Sequence, residues 1–164
     1  MAMNEALLSE FEQEAATTRL LIERVPAREA AWKPHPKSAS LGSLAVHVAD
    51  LASWPGTALT STELDLAVTP APSPFTTVEA LLATFDANVA GSRAALAKAV
   101  DADFAVLWSL KSGSQVYFTF PRAVIVRSFV LSHLIHHRAQ LGVYLRLRDV
   151  PLPPCYGPTA DTGM

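Results

Sequence analysis

The chain has 164 residues, 50% of them hydrophobic and 17% charged, with a net charge of -2. That size and composition fit a single domain over residues 1–164 with a real apolar core, and they exclude a disordered chain. The low charge and the lack of a basic run exclude an electrostatic footprint for nucleic acid or for a membrane surface.

Cys155 is the one cysteine. It excludes an internal disulfide and makes a reducing cytoplasm the expected location. The opening MAMNEALLSEFEQEAA is acidic and amphipathic, unlike a signal peptide. No uncharged apolar run reaches about 18 residues, so no membrane span is expected.

Helix one is predicted over residues 4–25, where Leu7, Leu8, Phe11, Ala15, Leu21, Ile22 and Val25 recur at spacings of three and four. Glu10, Glu12 and Glu14 lie mostly off that stripe and read as a solvated face. Pro26 stops the helix, and residues 26–40 read as an ordered loop carrying Trp32 and, between Pro34 and Pro36, His35.

Ser40 is a good N-cap for helix two, predicted from Leu41 to about Leu59 with a kink or interruption near Ser53 and Trp54 imposed by Pro55. At about 100° per residue, Ser43, Leu44, His47, Asp50, Leu51 and Trp54 share one side of it. His47 therefore points with the core residues. A core histidine bonded to backbone or to a carboxylate is the plain alternative to a ligand there.

Residues 62–75 read as a proline-bearing linker. Thr76 opens helix three with Glu79 as its capping partner, and its buried stripe runs from Val78 to Ala99. That stripe holds no histidine, cysteine or carboxylate pair, so the helix reads as scaffold. Residues 104–120 carry apolar and β-branched residues on both sides of Lys111-Ser112-Gly113-Ser114, a β-hairpin signal. Helix four is predicted from Pro121 to about Arg148, and the tail PLPPCYGPTAD is expected to fold back over the bundle. The fold class is thus all-α, a four-helix bundle with a small β-hairpin insertion between helices three and four.

Helix four carries three of the five histidines. His133 and His137 are four apart and stand one above the other on the same face, a spacing that lets two imidazoles hold one ion. Joined by His47, they would form a three-histidine set with room for water or substrate. Without thiolates the set suits zinc, nickel, copper or iron. The alternative is a half-buried polar seam bonded to Tyr144, Gln140 or water. His136 lies off the ligand face, Arg138 reads as an ion-pair or capping residue, and Cys155 as filler. No G-x-S-x-G elbow or nucleophile triad is present. Asp50, one turn from His47, is placed to orient a histidine or act as a base.

These stretches are similar to a known family. LGSLAVHVADLASW, HLIHHRAQLGVYLRLRDVP, Trp32-Lys33-Pro34 and the closing PPCYGPTAD together resemble the DinB/YfiT-like superfamily, which is unrelated to the DNA polymerase sharing that name. The resemblance spans nearly the whole chain and implies a bundle with a long crossover. It implies metal ligands at His47, His133 and His137, with a divalent transition metal, zinc or nickel first. Ala139 stands where the family often has glycine, a matter of local packing. The resemblance further implies a metal-dependent transferase acting on a small molecule, with a low-molecular-weight thiol as partner; a maleylpyruvate isomerase is also among the relatives. A metal-dependent hydrolase, or a non-catalytic protein with a structural or vestigial site, is the alternative. Asp50 and Tyr144 are the expected supporting catalytic residues. The apolar content leaves room for a homodimer.

Overall fold

A computed structural model describes residues 2–163. Helix α1 (Met3–Ile22) buries Leu7, Phe11, Ala15, Leu21 and Ile22 on one stripe. It ends before Pro26, and a 3-10 turn at Ala27–Glu29 starts the loop that leads to α2 (Leu41–Leu51). That loop is pinned to the start of α2, where the Gly42 amide donates to the Ala30 carbonyl at 2.8 Å and the Leu41 amide to that of Trp32 at 2.9 Å. Ser40 caps α2 as expected, its hydroxyl accepting from the Ser43 amide at 3.2 Å.

Of the kink or interruption expected at Pro55, the structure has the interruption. Helix α2 stops at Leu51, and a separate helix α3 (Trp54–Thr60) begins with Pro55 in its first turn. A break frees carbonyls that need donors. Helix α4 (Val78–Lys98) supplies them: Ser92 Oγ donates to the Ala52 carbonyl at 2.6 Å, and Asn88 donates to that of Ala49 at 3.0 Å. The scaffold reading of this helix therefore gains a specific content, since it repairs the broken one. Its N-cap is Thr77, one residue later than expected.

The fold is mostly helical, and the expectation of an all-α bundle with a lone hairpin needs one correction. Strands β2 (Leu107–Ser112) and β3 (Gln115–Pro121) form the expected hairpin, turning at Gly113 with a positive φ of 57°. A third strand, β1 (Glu63–Asp65), lies in the stretch read as linker and pairs parallel with β2, giving a small mixed sheet. Asp65 fastens the hairpin turn by accepting from the Gly113 amide at 2.9 Å. The one-turn helix α5 (Asp101–Phe104) leads into the hairpin.

The closing helix has three parts: α6 (Arg122–Val124), a π-helical stretch at Ile125–Leu131, and α7 (Ser132–Leu147). The main helices pack in a ring in the order α1, α4, α2, α7, so α1 and α2 lie at opposite corners. The two diagonal crossings this order requires are made by the 23–40 loop, from α1 to α2, and by the segment from α4 to α7 that carries the hairpin, while the long 61–77 connection with β1 joins the neighbouring α3 and α4. One apolar cluster joins α1, α2, α4 and α7 around Ile22, Leu41, Leu51, Leu134 and Leu141. A second, around Phe11, Phe104, Trp108 and Ile125, seats the sheet and the π stretch.

The tail folds back as expected, and what holds it corrects the reading of helix one. Glu14, expected on a solvated face, is 5% exposed and pairs with Arg138 across the ring. The Tyr156 hydroxyl of the tail donates to the Glu14 carboxylate at 2.7 Å and accepts from Arg138 at 2.6 Å. Arg138 is thus the ion-pair residue expected from its place on the helix. No helix among the described residues is long and apolar enough to cross a membrane.

Candidate metal centre

The inward face of α2 meets that of α7, and His47 faces His133 and His137 across this contact. Their ring centroids form a compact triangle: 5.1 Å from His47 to His133, 4.6 Å from His47 to His137, and 4.7 Å between the two on α7. One ligand nitrogen from each lies within 4.8 Å of the others, and all three residues are half-buried. His47 Nε2 and His133 Nε2 face each other at 3.3 Å. Two nitrogens on a tetrahedral zinc, each at about 2.0–2.1 Å, stand about 3.3–3.4 Å apart, so this pair already has the span that a shared ion needs.

The protonation state suits ligation as well. Burial pushes the His133 imidazole down to about 4, helped by the neighbouring charges of His137, His47 and His136. Burial also lowers His47, helped by His137 and opposed by Asp50. Neutral imidazole is the form that binds metal.

The partners of the rings differ. His137 Nδ1 meets Gln140 Oε1 at 2.7 Å, and the same amide reaches His136 Nε2 at 3.1 Å through its nitrogen. With Nδ1 donating to Gln140, His137 keeps its Nε2 lone pair for a ligand. Gln140 was legible only as a member of a polar seam; its spacing of three from His137 is the signal for this contact. His133 Nδ1 is buried without a protein partner among the described residues. The polar bonding of that ring therefore rests on Nε2, which points at the other histidines.

Aromatic rings wall one side. Trp54 lies 5.7 Å from His133 and Phe129 5.5 Å, and the two also touch each other. The break before α3 is what puts Trp54 there, and its indole donates to Asp50 Oδ2 at 3.1 Å. On the other side His47 lines a cavity of about 570 Å³. Asp50 is thus near the cluster and tied to Trp54. Tyr144 is engaged elsewhere: its hydroxyl reaches the Ala39 carbonyl at 3.4 Å, and its ring stands edge-on to Trp32. His35 accepts from the Lys37 amide within its own loop, and Cys155 is exposed in the tail.

Residues 10–141 match the sequence model of a family described as the DinB superfamily. Three solved structures share the fold. A DinB-like protein from Bacillus subtilis has a TM-score of 0.73 and 18% identity, over 94% of this chain and 99% of that one. A DinB-like protein from Bacillus cereus has a TM-score of 0.69 and 20% identity, over 93% and 97%. A protein from Exiguobacterium sibiricum, described as a putative member of the DinB family, has a TM-score of 0.67 and 20% identity, over 94% and 97%. No curated protein matches the chain.

Proposed function

This chain belongs to the DinB superfamily, and we propose that it is a metal-dependent transferase of small molecules in which His47, His133 and His137 hold one divalent transition ion, zinc or nickel first. The observation that carries this reading is the convergence of three ligand nitrogens within 4.8 Å. Among the described residues no fourth ligand joins the three imidazoles, and a three-histidine set leaves a coordination position open, as reactive sites do and closed structural sites do not.

When bound, the ion supplies Lewis acidity, lowering the pKa of a thiol or water and polarising an electrophile. The residues of the chain do the rest. Gln140 fixes His137 so that Nε2 faces the ion. Trp54 and Phe129 keep water from one side of the cluster. Asp50, held by the Trp54 indole, takes the proton released by the nucleophile. Tyr144 is assigned to holding the 26–40 loop through Ala39. The cytoplasmic location suits a thiol partner that must stay reduced.

The test uses zinc- or nickel-loaded protein with 2-mercaptoethanol and 1-chloro-2,4-dinitrobenzene. The sulfur–carbon bond forms, the carbon–chlorine bond breaks, chloride leaves and the thiol proton passes to Asp50 and then to buffer. Thioether formation above background, lost in His137→Ala, is the expected result. Hydrolysis of 4-nitrophenyl acetate without thioether would make the protein a hydrolase on the same site. Neither reaction above background would leave a non-catalytic metal protein.

A further inference from the structure

Helix α2 carries more than a ligand on its open side. Ser43, Val46, His47 and Asp50 follow at spacings of three and four, so they line one strip of the helix surface. Two cavities run along this strip. One, of about 570 Å³, is bounded by Ser43, Val46 and His47. The other, of about 260 Å³, is bounded by Val46, Asp50 and Asn88. Both share Val46, Pro72, Pro74 and Phe75, so the proline-rich 70–76 segment roofs one continuous groove. Phe75 packs close to Gly42 at the head of α2, where a Cβ on Gly42 would stand 3.1 Å from that of Phe75, and this anchors the roof to the helix.

The charge of the walls is the informative feature. The chain has 13 lysines and arginines, and none of them lines either cavity. Among the described residues Asp50 is the only acidic or basic side chain in the lining besides the His47 imidazole; the other polar groups are serine and threonine hydroxyls and the Asn88 amide. Along the walls, away from the ion, a carboxylated or phosphorylated ligand would meet no basic side chain and would lie beside a carboxylate, at a cost in desolvation and repulsion.

We propose that this roofed groove is the specificity site of the metal centre, and that it admits uncharged or cationic hydroxyl- and amide-bearing small molecules while rejecting anions. Val46, the wall residue of α2 common to both cavities, sets its width. Ser43 sets its charge, since it sits one turn from His47 and is exposed. This deepens the proposed function and rests on it, because the molecule is taken to reach the ion from the His47 end.

The test uses protein loaded with cobalt(II), whose thiolate charge-transfer band reports binding at the ion directly. Three probes of similar size are titrated: 2-mercaptoethanol (neutral), thiocholine (cation) and 2-mercaptoethanesulfonate (anion). The neutral and cationic thiols should bind at least about tenfold more tightly than the anion, the order of effect that one close charge has in a partly screened site. Ser43→Lys should narrow or invert that ratio at unchanged cobalt content. Val46→Trp should weaken all three probes while cobalt still binds.

Cobalt uptake with no thiol band, with equal affinities for the three thiols, or with Ser43→Lys and Val46→Trp both behaving as wild type overturns the groove assignment alone. Failure to take up cobalt at all overturns the metal reading, and the groove assignment with it.

Discussion

The Oε1 atom of Gln140 lies 2.7 Å from Nδ1 of His137, one turn further along α7. This contact decides which nitrogen of His137 is free. An outer partner of a ligand histidine typically governs metal affinity by about 10–100-fold. Gln140→Leu should therefore weaken zinc binding by about that factor in a competition titration with a chromophoric chelator. Gln140→Glu, which still accepts from Nδ1, should restore it. Wild-type affinity in Gln140→Leu would show that the contact orients nothing.

The ion pair of Arg138 and Glu14 is 3% and 6% exposed at its two side chains, with Nη1 2.6 Å from Oε2. Removing one partner strands a buried charge. Glu14→Leu should cost about 3–5 kcal/mol in urea denaturation, and adding Arg138→Met should recover most of that loss. Tyr156→Phe should cost about 1 kcal/mol and free the tail to proteolysis, since its hydroxyl bridges both charges. Independent, additive losses for Glu14→Leu and Arg138→Met would contradict the pairing.

Acid should destabilise the metal-free protein through His133. Its folded pKa is about 4, against about 6.5 for an unfolded chain. Between those values the unfolded state binds more protons, so stability is full above pH 6.5 and falls as pH drops towards 4. Thermal melts of metal-free protein across that window should show the decline, and His133→Leu should flatten it. Equal slopes in both proteins would contradict the assignment.

Gly42→Ala should destabilise the fold. The added Cβ would stand 3.0 Å from the Ala30 Cβ and 3.1 Å from both the Ala30 carbonyl oxygen and the Phe75 Cβ. Overpacking of that kind costs about 1–3 kcal/mol, read as a lower Tm. An unchanged Tm would mean that the two loops meeting there give way freely.

Much of the site is written in local periodicity. His133 and His137 share a helical face by their spacing alone, and His47 shares one with Leu44 and Leu51; burial then brings those faces together. The family likeness carried by the same stretches is shown by the match over residues 10–141. What local pattern does not carry is pairing at a distance. Glu14 looks like its solvated neighbours because Arg138 is 124 residues away. Strand β1 is three residues long, and its partner on β2 lies beyond a whole helix, so neither alternation nor a turn signal marks it. The π stretch at Ile125–Leu131 breaks the 3.6-residue period on which any wheel depends.

The central claim is tested most directly by elemental analysis of protein expressed without a histidine tag and purified without chelators, comparing wild type with His137→Ala. The account predicts close to one transition-metal ion per wild-type chain and a loss of most of it in the variant. Wild-type protein that stays metal-free after zinc and nickel are added back, or a variant that keeps full metal content, would contradict it.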